Sequence, residues 1–112
     1  DDSDDTNFPD YKLRITSQPV SSTTNVSSNI RFTVAAASSP VGATLAYKWQ
    51  GNDVAGTGWV DLSNTAGQYY NVTSPMFTAN NETANGNVFR AVVSTTGANT
   101  IYSANATIRY VV

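Results

Sequence analysis

At 112 residues, 40% of them hydrophobic, the chain is the size of one ordinary domain with enough apolar surface for a core, which excludes a disordered composition. Charged residues are only 12%, and Ser, Thr and Asn supply 39 positions, a neutral, hydroxyl- and amide-rich surface that suits an extracellular or particle-surface protein. Five of the eight acids fall in residues 1–10; the rest of the chain sets three acids against six scattered Lys and Arg, which is no nucleic-acid footprint, and no run of about twenty apolar residues provides for membrane insertion.

Residues 1–10, DDSDDTNFPD, read as an acidic linker or docking arm: like charges repel, apolar periodicity is missing, and Pro9 interrupts any ladder. The domain proper is expected over 11–112, where short segments of strand periodicity alternate with turn residues and no stretch of ten has helical spacing. A first strand is expected over 11–17, with Leu13 and Ile15 on one face and Pro19 ending or kinking it. The next, over 30–37, alternates Ile30, Phe32, Val34 and Ala36 with Arg31 and Thr33, the pattern of a half-buried strand. Ser38-Ser39-Pro40-Val41-Gly42 reads as a turn, and 44–50 as a strand with Leu45, Tyr47 and Trp49 opposite Lys48. A loop over 51–58 leads to short strands over 59–62, 68–73 and 74–78, then a polar turn over 80–87. Strands over 88–95, with Phe89, Ala91 and Val93 on one face, and 99–111 complete the set. Ile101 and Ile108 fall on opposite parities, which a bulge between them reconciles. The pattern predicts an all-β, antiparallel sandwich of about seven to eight strands.

Three features together resemble immunoglobulin-like domains. Tyr47-Lys48-Trp49-Gln50 matches the strand on which that family buries a Trp between its two sheets. The run from Asn85-Gly86 through Phe89 to Ser94 resembles the family's turn into its sixth strand, and 103–112 its closing strand. The resemblance covers 11–112 and implies a Greek-key sandwich whose core includes Phe32, Val34, Trp49, Phe89 and Ala91. It sets Val34 and Ala91 at the positions of the family's two cysteines. This chain has no Cys, so no disulfide forms, and apolar packing must offset the about 2–5 kcal/mol a bridge contributes in domains built around one. Phe89 takes the place of the family's corner tyrosine without its hydroxyl. The cysteine-free motif set, with Trp59-Val60-Asp61-Leu62 and the Asn-Gly-x-x-Phe-Arg turn, looks most like immunoglobulin-like domains of bacteria and bacteriophages, which implies an accessory role on a phage capsid or appendage or in a bacterial adhesin.

The chemistry available is narrow. There is no His, no Cys and a single Glu, which removes the usual nucleophilic triads and histidine metal sites. A glycosidase pair would need two of Asp53, Asp61 and Glu82 to converge; Asp53 in a Gly-flanked loop and Asp61 after Trp59-Val60 read as turn or surface residues. Catalysis is not expected, nor a cofactor or metal. Asp1, Asp2, Asp4 and Asp5 have hard oxygen ligands at short spacing but lack the Gly and terminal Glu of a calcium loop, so the run reads as a solvated tether or as an arm that docks on a basic patch of a neighbour. The four Asn-x-Ser/Thr sites, at Asn25, Asn71, Asn81 and Asn105, are no more than composition supplies. Tyr69, Tyr70, Trp59 and Tyr102 are less securely core residues, free either to pack across strands or to anchor a sugar or protein contact. The loops over 51–58 and 95–100 are expected to be contact loops of one sandwich end, with Asn52, Asp53, Trp59 and Asn99 as candidate contact residues.

The expected function is a non-enzymatic structural domain at the virion surface. It would dock on a capsid or appendage protein, or on neighbouring copies, and display a weakly adhesive surface. A bead of a bacterial surface adhesin and a carbohydrate-binding accessory of a hydrolase, touching cell-surface glycan, are the alternatives. Because the chain starts at Asp1 without a signal peptide, a segment of something longer is expected.

Overall fold

The computed structural model describes residues 11–25, 29–52, 58–65, 69–79 and 88–111. Within these residues the chain forms β1 (Lys12–Ser17), β2 (Ser22–Asn25), β3 (Ile30–Thr33), β4 (Ala35–Ser39), β5 (Ala46–Asn52) and β6 (Val60–Asp61), then β7 (Tyr69–Tyr70), β8 (Met76–Ala79), β9 (Val88–Ser94), β10 (Ile101–Tyr102) and β11 (Ala106–Val111). The expected all-β, helix-free architecture is what the described residues adopt. One sheet runs β2-β11-β9-β5-β6, with β10 also on β9; a second runs β3-β8-β7; β1 pairs with β4.

Several strands are shorter or more broken than the sequence pattern predicts, each for a local reason. The expected 30–37 strand splits at Val34: β3 pairs with β8, while β4 pairs with β1. Ile30, Phe32 and Val34 are buried, but past the change of partner Ala36 is only half-buried. The expected 99–111 strand splits at Ser103, whose buried hydroxyl accepts the Ala91 N–H at 2.8 Å and donates to the Ala104 carbonyl at 2.9 Å, while its own N–H reaches the Ala91 carbonyl at 2.9 Å. That break lets Ile101 and Ile108 fall out of phase. The expected 68–73 strand contracts to Tyr69–Tyr70, because Asn71 adopts a positive φ of 63° and its carbonyl accepts the Ser74 N–H in a turn. The expected 44–50 strand starts two residues later and runs on to Asn52.

β2 has no apolar alternation in STTN and gave no strand signal. It pairs parallel with β11, in register from Ser22↔Ile108 to Asn25↔Val111, so the sandwich is not wholly antiparallel. Side chains guide this segment to its partner: Gln18 Oε1 accepts the Ala104 N–H, and Ser21 Oγ the Thr107 N–H. The turn after β4 is organised by buried Ser38, whose Oγ donates to the Pro40 carbonyl and accepts the Ala43 N–H; the Ser39–Pro40 peptide is cis.

The core is aromatic. Trp49, on β5, stacks on Phe77 at 5.2 Å between ring centroids; Phe32 lies 6.0 Å from Phe77 and 5.6 Å from Phe89. The indole N–H of Trp49 donates to the Ser74 carbonyl at 2.8 Å, so its one polar group is satisfied. Val34 and Ala91 are both buried in the same cluster. Phe89 is a core ring as well, as expected. Gly51 admits it: a Cβ there would stand 3.3 Å from Phe89 and 3.2 Å from Leu62.

Trp49→Ala is expected to lower the free energy of unfolding by about 3–5 kcal/mol. Ser103→Ala, which leaves the Ala91 N–H unsatisfied, should cost about 1–3 kcal/mol. Urea denaturation of the two variants measures both losses; equal midpoints for wild type and Trp49→Ala contradict the assignment of the core.

Candidate binding face

The face that concentrates polar and aromatic chemistry is the outer side of the six-stranded sheet. In β9, Phe89, Ala91 and Val93 point into the core, so strand alternation turns Arg90 outward. In β5, Trp49 and Gly51 point in, which turns Lys48 and Gln50 outward. The register sets Arg90 opposite Gln50 and Gln50 opposite Asp61, one row across three strands.

Side chains along that row are linked. Arg90 Nε donates to Gln50 Oε1 at 2.8 Å, and Gln50 Nε2 donates to Asp61 Oδ1 at 2.9 Å. Lys48 Nζ pairs with Asp61 Oδ2 at 3.1 Å, an exposed ion pair worth little by itself. Above the row, the Arg90 guanidinium lies over two rings, 4.2 Å from the centroid of Trp59 and 4.3 Å from that of Tyr102. Each such stack contributes about 0.5–2 kcal/mol, and two of them restrain the orientation of the guanidinium plane. Tyr102 remains half in solvent, and Val60 beside Asp61 is exposed.

Asp61 is the one acidic side chain among the described residues. Hydrogen bonds from Gln50 and then Lys48 hold its carboxyl below the ordinary aspartate value. The described residues contain no group of three His, Cys, Asp or Glu that could hold a metal ion.

The residues singled out from sequence are distributed differently from expectation. Trp59 belongs to the face, as one wall of the Arg90 stack. Asn52 is half-buried, and its Oδ1 accepts the Gly58 N–H at 3.1 Å, anchoring the loop rather than offering a free contact. Asn99 is exposed and lines a shallow open groove with Tyr11, Lys12, Gly97 and Ala98. Asn52 pairs with Val88 at one end of β9, whereas the 95–100 turn follows Ser94 at the other. The two loops therefore lie at opposite ends of the ladder, which corrects the expectation of a shared contact end. Asp1, Asp2, Asp4, Asp5 and Asp53 lie outside the described residues, as do Glu82 and Asn81. Arg90, Gln50 and Tyr102 were missed as a group. Their outward parity was readable from the alternation around Phe89 and Trp49, but their convergence needs the register between strands far apart in sequence.

No family model matches the sequence, and no curated protein matches it. Solved structures do. The N-terminal Ig1-2 module of the Drosophila receptor protein tyrosine phosphatase DLAR superposes with a TM-score of 0.65 at 14% identity, covering 98% of this chain and 50% of that one. This chain thus spans half of that two-domain structure. Titin M4 matches with a TM-score of 0.61 at 20% identity, over 94% of this chain and 100% of its own. A complex of titin M10 with an obscurin-like 1 Ig domain matches with a TM-score of 0.58 at 8% identity, covering 88% and 92%. The fold is therefore immunoglobulin-like. At these identities the likeness defines the architecture and leaves the role to the residues.

The Asp61 carboxyl should titrate below the ordinary aspartate value in a side-chain NMR titration. Its depressed value gives a contribution to stability present above the unfolded-state value and lost as pH falls through the folded one. Gln50→Ala should move the midpoint back toward the ordinary value; an unchanged midpoint contradicts the hydrogen-bond assignment.

Proposed function

We propose that this chain is a non-enzymatic docking and display module of a virion surface, attached to a phage capsid or appendage, and that it meets its partner through the outer face of the six-stranded sheet. The observation that carries the reading is the clamped Arg90. It is a charged group engaged by Trp59, Tyr102 and Gln50 on a sparsely charged surface, with exposed Val60 alongside. Arg and aromatic residues are the types that dominate protein contacts when pre-ordered in this way.

The virion setting is supported by the cysteine-free motif set around Trp49 and Phe89 and by the low charge. Catalysis has little to work with: the sequence lacks His and Cys, and Asp61 is engaged by Lys48 and Gln50. A sugar ring stacking on Trp59 would compete with the guanidinium already against that indole, so a protein contact is the better fit.

Immunogold electron microscopy with antibody against residues 11–112, applied to the native source, tests the setting. Regular label on particle heads or appendages is expected. Label confined to a cell envelope would turn the reading to a surface adhesin, and label confined to the cell interior contradicts both.

A further inference from the structure

We infer that the in-plane edge of Arg90 is a carboxylate-binding site, and that its occupant is the acidic segment, residues 1–10, of a second copy of this chain. The inference rests on the outer face being the docking surface and names the partner.

The guanidinium carbon lies over the Trp59 ring at 4.2 Å and over the Tyr102 ring at 4.3 Å. Its Nε is spent on Gln50. What is left is the edge carrying the two Nη groups, which have no hydrogen-bond acceptor and no ion-pair partner among the described residues. The nearest acid in the row does not serve: Asp61 is engaged by Lys48 and by Gln50, whose amide stands between it and Arg90. Among the described residues, Arg90 is thus a cation with two unspent pairs of donors and no counter-charge. A planar fork of that kind fits the two oxygens of a carboxylate, and the rings that shield it from water strengthen the attraction.

Charge says which carboxylate. Asp1, Asp2, Asp4, Asp5 and Asp10 are five of the chain's eight acids, and the remaining residues carry twice as many Lys and Arg as acids. The segment and the body therefore attract, and Lys48 and Arg109 add positive charge on the same outer face. Residue 11 is tied at the far end of the ladder, where the Tyr11 N–H donates to the Gly97 carbonyl at 3.1 Å, while Arg90 lies toward the Val88 end. Donor segment and acceptor edge are different surfaces of one chain. A contact between copies either closes as a reciprocal pair or, where it does not close, runs head-to-tail and leaves both ends free to continue.

Three full-length proteins test this by analytical ultracentrifugation: wild type, Arg90→Lys, and a variant with Asp1→Asn, Asp2→Asn, Asp4→Asn and Asp5→Asn. Lysine keeps the charge but not the fork. The arm substitutions leave residues 11–112 unchanged, so they remain informative if Arg90→Lys lowers stability. Wild type should associate with increasing concentration, into dimers where the exchange is reciprocal and larger species where it is not, and lose this near 1 M salt, where the screening length is about 3 Å. Each variant alone should associate at least about tenfold more weakly. An equimolar mixture of the two variants should form dimers and stop there, because it contains one intact arm and one intact edge per pair.

Monomeric wild type at millimolar concentration overturns the inference, as does association that neither variant weakens. A monomer whose Arg90 Nε–H resonance shifts on neutralising the arm, independently of concentration, means that the arm folds back on its own chain, and also overturns it. In any of these cases label on particles by microscopy would leave the proposed function standing; loss of that label would remove the function itself.

Discussion

The pairing of β5 with β9 is the constraint on which the rest depends. Seven residue pairs, from Val88↔Asn52 to Ser94↔Ala46, lock two strands forty residues apart in sequence into one register. Strand side chains alternate, so this ladder sorts two chemistries at once. Trp49, Phe89 and Ala91 go to the core; Lys48, Gln50 and Arg90 go to solvent. A slip of one residue would bury the charges and expose the rings, so the hydrophobic effect that holds the core also specifies the outer face. Gly51 belongs to the same constraint, since a Cβ there would press on Leu62 and Phe89, which would have to give way by a few tenths of an ångström.

The core explains how a domain of this architecture holds without a bridge. Val34 and Ala91, at the positions where the family resemblance puts cysteines, are packed among Phe32, Trp49, Phe77 and Phe89. Offset and tilted rings at 5–6 Å add specific attraction to the area they bury. The Ser103 hydroxyl adds a buried polar anchor at the break in the closing strands, where the backbone of Ala91 would otherwise lack a partner.

Much of this was legible in the residues themselves. Alternation around Phe32, Trp49 and Phe89 identified three strands and their inward faces, because a half-buried strand has to alternate. Opposed parity of Ile101 and Ile108 foretold the interruption at Ser103. The sequence pattern failed where side chains rather than periodicity decide the path. β2 is polar and edge-lying, drawn to β11 by Gln18 and Ser21. β3 and β4 form one apolar run that changes partner midway. Phe77 and Val72, buried members of the core, sit beside a turn set by the backbone of Asn71 and carried no clear signal. Of the binding face, Trp59 and Tyr102 were singled out from sequence as possible contact aromatics, without their meeting at Arg90. Arg90 and Tyr102 belong to different strands, and their meeting is a product of pairing.

The outer face joins these strands into a device. Gln50 stands between Arg90 and Asp61, the one acid among the described residues, while Trp59 and Tyr102 stack on the guanidinium. Pre-ordering of this kind lowers the conformational cost of a contact, which is how a sparsely charged surface gains a partner without a deep pocket. The most direct test is nitrogen-15 relaxation of the arginine side chains in the free protein. A clamped Arg90 predicts an Nε order parameter near the rigid-backbone value of about 0.85, well above that of exposed Arg109; a value below about 0.6, with Arg90 as mobile as Arg109, contradicts it.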